Sequence, residues 1–251
     1  MKFFSDTGKV FIREIKPTLY DPISPLFSLA QPIIFLALLG PLVANMPSAG
    51  GDTSWQWFVP GILVMVVLFG TSMTGSNLGW EMQTGSHERV MVTPLSRSAM
   101  LVGKSLKEIA PLAVQTVLIV VIMLPFGFKL YFGPALLGLV ILAVMAVGLG
   151  ALSYALAIAA RKKDWLFWAI QQTALFPLLI LSGMMMPLDY GPQWMRNVST
   201  YNPVTYIVDA ERALFSGELA TNTVMYGALA ALGFAVVGLL VGTTTIRRAT
   251  V

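Results

Sequence analysis

A chain of 251 residues that is 56% hydrophobic and only 11% charged, with a mean hydropathy of +0.76, carries too little charge to solvate a globular surface and belongs with membrane proteins. Its net charge of +4 is scattered in short clusters between apolar runs, which argues for the membrane and against a nucleic-acid-binding face. The absence of cysteine and the single histidine, His87, exclude disulfides, thiolate metal sites and histidine-rich metal sites.

From the N-terminus, residues 2–20 read as an amphipathic helix lying on a membrane. Phe4, Phe11, Ile12, Ile15 and Leu19 recur at helical spacing, while Lys2, Asp6, Lys9, Arg13 and Lys16 take the other side. The interleaved charge does not match a cleavable signal peptide. Pro17, Pro22 and Pro25 break the helix before a first span over 27–46, in which Gln31 is the strongly polar side chain. A loop without Lys or Arg leads through Trp55 and Trp57, residues suited to a membrane interface, into a second span over 58–79. Thr71, Ser72, Thr74, Ser76 and Asn77 cluster there with Gly75 and Gly79 at small-xxx-small spacing. The pattern favours helix packing, with a sodium site of hydroxyls and carbonyls as the alternative.

A polar, basic loop over 81–104 separates this span from a third over 109–126, and a short turn leads to a fourth over 134–159. The cluster Arg161, Lys162, Lys163, Asp164 precedes a fifth span over 165–186. A polar, aromatic segment over 188–219 follows, then a sixth span over 224–245, and Arg247 and Arg248 lie beyond it. The reading is therefore an all-α polytopic membrane protein with six spans forming one transmembrane domain over 1–251. Thirteen of the sixteen Lys and Arg fall on the N-terminal side of the membrane; Lys129, Arg196 and Arg212 fall on the other. By the positive-inside rule both termini and the 81–104 loop are cytoplasmic, in a cell membrane.

Inventory excludes most chemistry. Gly103, Lys104 and Ser105 look like the end of a phosphate-binding loop, but Ser98 stands where the motif needs its first glycine. His87 and Glu88 lack the second histidine of a zinc-protease motif, and no base lies at membrane depth to activate a serine. We expect no catalytic residue, no metal site and no cofactor on this chain. The spans hold no Asp, Glu, Lys, Arg or His, which disfavours an ion-coupled secondary transporter.

Two stretches carry a resemblance. Glu81, Gly85, Glu88, Arg89, Thr93, Pro94, Leu95, Ser96 and Arg97, followed by Gly103 and Lys104, resemble the cytoplasmic loop of type-2 ABC exporter permeases, the family that includes daunorubicin-resistance permeases. Ser86 and His87 stand where that family usually has threonine and an apolar residue. Ser182, Gly183, Met186, Pro187, Pro192, Trp194, Asn202, Pro203, Tyr206, Arg212, Ala213, Leu214 and Gly217 are similar to the family's series before its last span.

The resemblance implies a coupling helix that docks on a separate ABC ATPase subunit, with Glu81, Gly85, His87, Glu88, Arg89 and Pro94 at the contact and ATP and magnesium held by that partner. It also implies an external re-entrant helical hairpin over 188–219 acting as a gate, marked by Pro187, Trp194, Asn202, Pro203 and Arg212. Gln31, Phe35, Gln171, Gln172 and Phe176 are candidates to line a route for an amphipathic or lipophilic cargo. Six spans are few for a complete pathway, so a dimer of this chain is the economical assembly. The expected function is the permease of an ATP-driven exporter of a drug or antibiotic. The alternatives are export of an envelope glycan or lipid, and a membrane module that transmits force without moving cargo.

Overall fold

The structure is a computed structural model that describes residues 2–20, 29–44, 54–86, 96–161 and 163–248. Helix α1 covers Lys2–Tyr20. It turns Phe4 and Ile12 outward and Asp6, Thr7 and Val10 against the rest of the chain, so its apolar face is open to a bilayer surface. Helix α2 (Ala30–Ala44) packs on α3 (Ser54–Gln83), and the α3 window that could cross a membrane is 83% buried. From Phe58 to Leu68 its buried side chains point all round, making α3 the hub of the bundle.

Helix α4 (Arg97–Lys107) is amphipathic and α5 (Ile109–Met123) apolar. They meet at Glu108, whose N–H reaches back to the carbonyl of Ser105 at 3.3 Å. Pro111 supplies no N–H to the turn before it, which explains a joint where polar helix gives way to membrane helix. A 3₁₀ turn, Leu124–Phe126, closes the run. Helices α6 (Phe132–Ala159) and α7 (Asp164–Ile180) follow, then a 3₁₀ turn at Leu188–Tyr190 and the short helices α8 (Gln193–Ser199) and α9 (Pro203–Phe215). The last helix is α10 (Asn222–Arg248).

Four helical stretches, Trp55–Gln83, Arg97–Phe126, Phe132–Ala159 and Asn222–Arg248, are long and apolar enough to cross a membrane, and Ala30–Leu42 and Trp165–Ile180 are shorter apolar helices. The chain is an all-α polytopic membrane protein, with no strand among the described residues. Several boundaries differ from those read in the sequence. Helix α3 continues past residue 79 to Gln83, so Glu81 lies on the last turn of the second span rather than on a separate helix. Helix α7 stops at Ile180 because Ser182 and Gly183 turn the chain, Gly183 with φ +69°.

Small residues set the closest approaches, as expected where lipid competes for apolar contacts. A Cβ on Gly238 would stand 2.0 Å from the Gly148 carbonyl oxygen, so α6 and α10 meet backbone to backbone. A Cβ on Gly75 would stand 2.4 Å from the Ser153 carbonyl oxygen, and the Gly75 N–H donates to Ser153 Oγ at 3.2 Å. Thr71 and Ser72 donate to carbonyls of their own helix, at 2.8 and 2.9 Å. Packing accounts for Gly75, Thr71 and Ser72, whereas Gly79 has open space around it.

Candidate functional site

Polar residues gather at the two ends of the bundle. At the end carrying both described termini, α1 lies across α4. A Cβ on Gly103 would sit 2.8 Å from Val10 Cβ and 3.1 Å from the Thr7 carbonyl oxygen, so glycine is what lets the helices cross this closely. The buried ammonium of Lys104 donates to Glu81 Oε1 at 2.6 Å and lies 3.6 Å from Glu14. Lys107 lies 3.8 Å from the other oxygen of Glu14. Asp6 accepts from the Ser96 N–H at 3.3 Å, and Arg247 donates to Ser98 Oγ at 3.3 Å. This lock joins α1, the end of α3, both ends of α4 and the end of α10.

The adjacent Gly103 and Lys104 thus have a structural use: one admits α1 and the other clamps it. Their partners Val10, Glu14 and Glu81 lie far off in sequence, so residue spacing could not disclose the arrangement. Of the residues expected to contact an ATPase, Glu81 is engaged by Lys104, and Gly85, with φ +68°, follows the end of α3. His87, Glu88, Arg89 and Pro94 lie outside the described residues.

At the opposite end, Arg212 of α9 holds three segments together. Its Nε donates to the Trp57 carbonyl at 3.1 Å, Nη2 to the Gly183 carbonyl at 2.8 Å, and Nη1 to Asp209 at 3.4 Å. The guanidinium also lies 3.9 Å from the centroid of the Trp57 ring. Asn202 caps α9 by accepting the Val204 N–H at 3.0 Å, with Pro203 in the first turn, and donates to the Leu178 carbonyl at 3.0 Å. Pro187 opens the Leu188–Tyr190 turn, while Trp194 is largely exposed. Asn202 with Pro203 and Arg212 thus sit at opposite ends of α9 and tie it to Leu178 and to Trp57 and Gly183 respectively, and Trp194 stands apart.

Two buried groups at this end went unnoticed in the sequence. Gln56 donates to the carbonyls of Lys129 and Phe215, at 2.8 and 2.6 Å, and accepts the Lys129 N–H at 2.9 Å. Glu211 is fully buried on α9, both carboxyl oxygens lack a hydrogen-bond partner among the described residues, and Gly138 of α6 faces it. Burial pushes its carboxyl up to about 8. A helical reading places Glu211 on one face with Val204, Ile207, Val208 and Leu214, but composition alone hid this because the segment is polar overall.

The five candidate lining residues differ in how they face the rest of the chain. Gln171 turns inward, accepting from Ser153 Oγ at 3.5 Å. Phe35 is half-buried, and Gln31, Gln172 and Phe176 face out of the single chain. A separate groove of about 490 Å³ opens between α1, α3 and α5, with Glu14, Asn77, Trp80, Glu81 and Glu108 among its walls.

Comparison with known proteins places this architecture. Residues 7–216 match the family described as ABC-2 type transporter. A putative transport permease, ycf38, of Cyanophora paradoxa is 28% identical over 78% of this chain and 69% of its own length. The daunorubicin resistance ABC transporter permease protein DrrB1 of Streptomyces coeruleorubidus is 25% identical over 78% and 70%. The probable doxorubicin resistance permease DrrC of Mycobacterium tuberculosis is 22% identical over 78% and 72%. With the family match running from within α1 to the end of α9, this all-helical membrane chain belongs to the ABC-2 type transporter family.

Proposed function

We propose that this chain is the permease subunit of an ATP-driven exporter in the cell membrane, acting as a dimer worked by a separate ATPase subunit that binds ATP and magnesium. The observation that carries the reading is the ion-paired lock of Lys104 with Glu81 and Glu14. Both flanks of the loop over 87–95 are fastened to α1 and to the spans, so a push on that loop moves α3, α4 and α1 together. Both termini and this loop face the cytoplasm in this reading, where ATP is available. The α8–α9 pair, anchored by Arg212 and Asn202, forms the gate at the outer end.

Partnering with a second copy explains the exposed polar groups. Gln31 on α2 and Gln172 on α7 face out of the chain within apolar helices, and amides facing hydrocarbon are disfavoured. A second copy laid against α2 and α7 shields them and places Phe35 and Phe176 near a shared route. An amphipathic drug-like cargo agrees with relatives named for daunorubicin and doxorubicin resistance.

The coupling assignment is tested by replacing Glu88 and Arg89 together with alanine. Transport in vesicles holding the permease and its ATPase should fall by about tenfold or more, as expected for losing charge-assisted docking contacts. Thermal stability of the permease should stay unchanged. Full transport by the double variant would show that this loop is not where force enters.

A further inference from the structure

The groove between α1, α3 and α5 shares Glu14, Glu81 and Lys107 with the lock, yet the rest of its lining serves neither the lock nor the outer gate. Val66, Gly70, Met73, Asn77 and Trp80 recur along one face of α3. Met73 and Trp80 stand about half to two-thirds exposed on a helix that is buried from Phe58 to Leu68. Gly70 has nothing within 4 Å of where a Cβ would be, which deepens the wall. The facing wall comes from α5 and its joint with α4, where Glu108, Pro111, Leu112 and Gln115 also share one helical face. Pro17 and Glu14 of α1 close the end nearest the lock.

Its polarity is graded along the bundle. The apolar walls Val66, Met73 and Leu112 lie toward the middle of the spans, while Glu14, Glu81, Lys107 and Glu108 gather at the end where α1 lies. Lys104 is paired with Glu81 and Glu14, and Lys107 with Glu14. Three carboxyl groups thus stand beside two ammoniums, and Glu108 is in no ion pair among the described residues. A cationic occupant gives Glu108 the partner it lacks in a region poor in water, whereas a neutral or anionic one gives it none. Beside the charge stand the sulfur of Met73 and the indole of Trp80, both suited to a soft organic cation.

Resting on the exporter reading, we propose that this groove is the site where a lipophilic organic cation is taken up from the cytoplasmic leaflet, its charge held by Glu108 and its apolar body against Met73 and Trp80. About 490 Å³ is the size of a small-molecule site.

The test is equilibrium binding of tetraphenylphosphonium to the full-length permease, without any ATPase, in phosphatidylcholine nanodiscs. Tetraphenylborate, the anion of nearly the same shape, is the control. We expect saturable binding of the cation alone, weakened by about tenfold in Glu108→Gln and lost in Asn77→Lys, which places a positive charge in the groove one helical turn from Glu81. Met73→Trp, which fills the groove at constant charge, should also abolish binding. Equal binding of both ions, no saturable binding, or affinity unchanged in all three variants would overturn the assignment. So would loss of binding in phosphatidylethanolamine nanodiscs, since a lipid amine would then be the occupant. Because no nucleotide is involved, failure here leaves the exporter reading standing. Conversely, cation binding by a chain that no ATPase drives would refute only that reading.

Discussion

Glu211 is the residue whose environment departs furthest from what its chemistry prefers. Its buried carboxyl lacks partners among the described residues and is pushed up to about 8, against an ordinary value of 4.5. Below the ordinary value it is protonated in both folded and unfolded chains, so burial carries no ionisation penalty there. As pH rises from 4.5 towards 8 the unfolded chain ionises while the folded one stays neutral, and stability is lost; above 8 the loss levels off. Glu211→Gln removes this dependence. Its melting temperature should match the parent's trend near pH 5 and exceed it by roughly 2–5 °C near pH 8.5, measured by differential scanning fluorimetry in detergent. A gap that did not widen with pH would mean that the carboxyl finds a partner.

Arg212 is the converse, a charge whose donors are well used. Truncation leaves the carbonyls of Trp57 and Gly183 without it, so Arg212→Ala should cost about 2–3 kcal/mol of local stability. Lysine, with one compact ammonium, restores only part. Amide exchange over 182–215 should rise most in the alanine variant, less in the lysine variant, and little over 132–159. The sequence marked Arg212 through its resemblance, but the resemblance did not say that Trp57, placed at the membrane interface by its type, lies under the guanidinium. That contact joins positions 155 apart, beyond the reach of any periodicity.

At the scale of elements, what was readable is what periodicity and punctuation control. The alternation of Phe4, Phe11 and Ile12 with Lys9 and Arg13 implied a helix over 2–20, and α1 covers Lys2–Tyr20. The resemblance implied a helical hairpin over 188–219 marked in part by Asn202 and Pro203, and Asn202 caps α9. Boundaries set by tertiary contact were less readable. Helix α3 runs on to Gln83 because Glu81 has Lys104 to meet, and α7 ends early because Gly183 must present its carbonyl to Arg212. Close backbone crossings were partly readable: small residues were visible, but which of them met a neighbour was not. Gly238 and Gly233 make this testable within α10. A Cβ at Gly238 collides with the Gly148 carbonyl, while one at Gly233 meets nothing within 4 Å. Gly238→Ala should therefore destabilise the bundle by about 1–3 kcal/mol, and Gly233→Ala should be neutral or slightly stabilising, both read from thermal unfolding.

For the whole molecule, the polar groups sort to the ends of an apolar bundle and do different work at each. At the end with the termini, carboxylates and lysines fasten an interfacial helix to two spans beside the expected ATPase contact. At the other end, Arg212, Asn202 and Gln56 tie loops to backbone carbonyls. Between them runs α3, buried from Phe58 to Leu68 and bordering a groove nearer the lock. In the proposed exporter, a displacement applied between α3 and α4 is carried toward the groove and the α8–α9 pair by α3.

The decisive measurement is transport by inside-out vesicles containing this chain with or without its ATPase, using fluorescent amphipathic dyes and ionophores that collapse every ion gradient. Uptake should occur only when both subunits, ATP and magnesium are present, and should survive the ionophores. Uptake driven by an ion gradient in vesicles holding this chain alone, or vigorous ATP hydrolysis by the pair with no dye moved, would contradict the account.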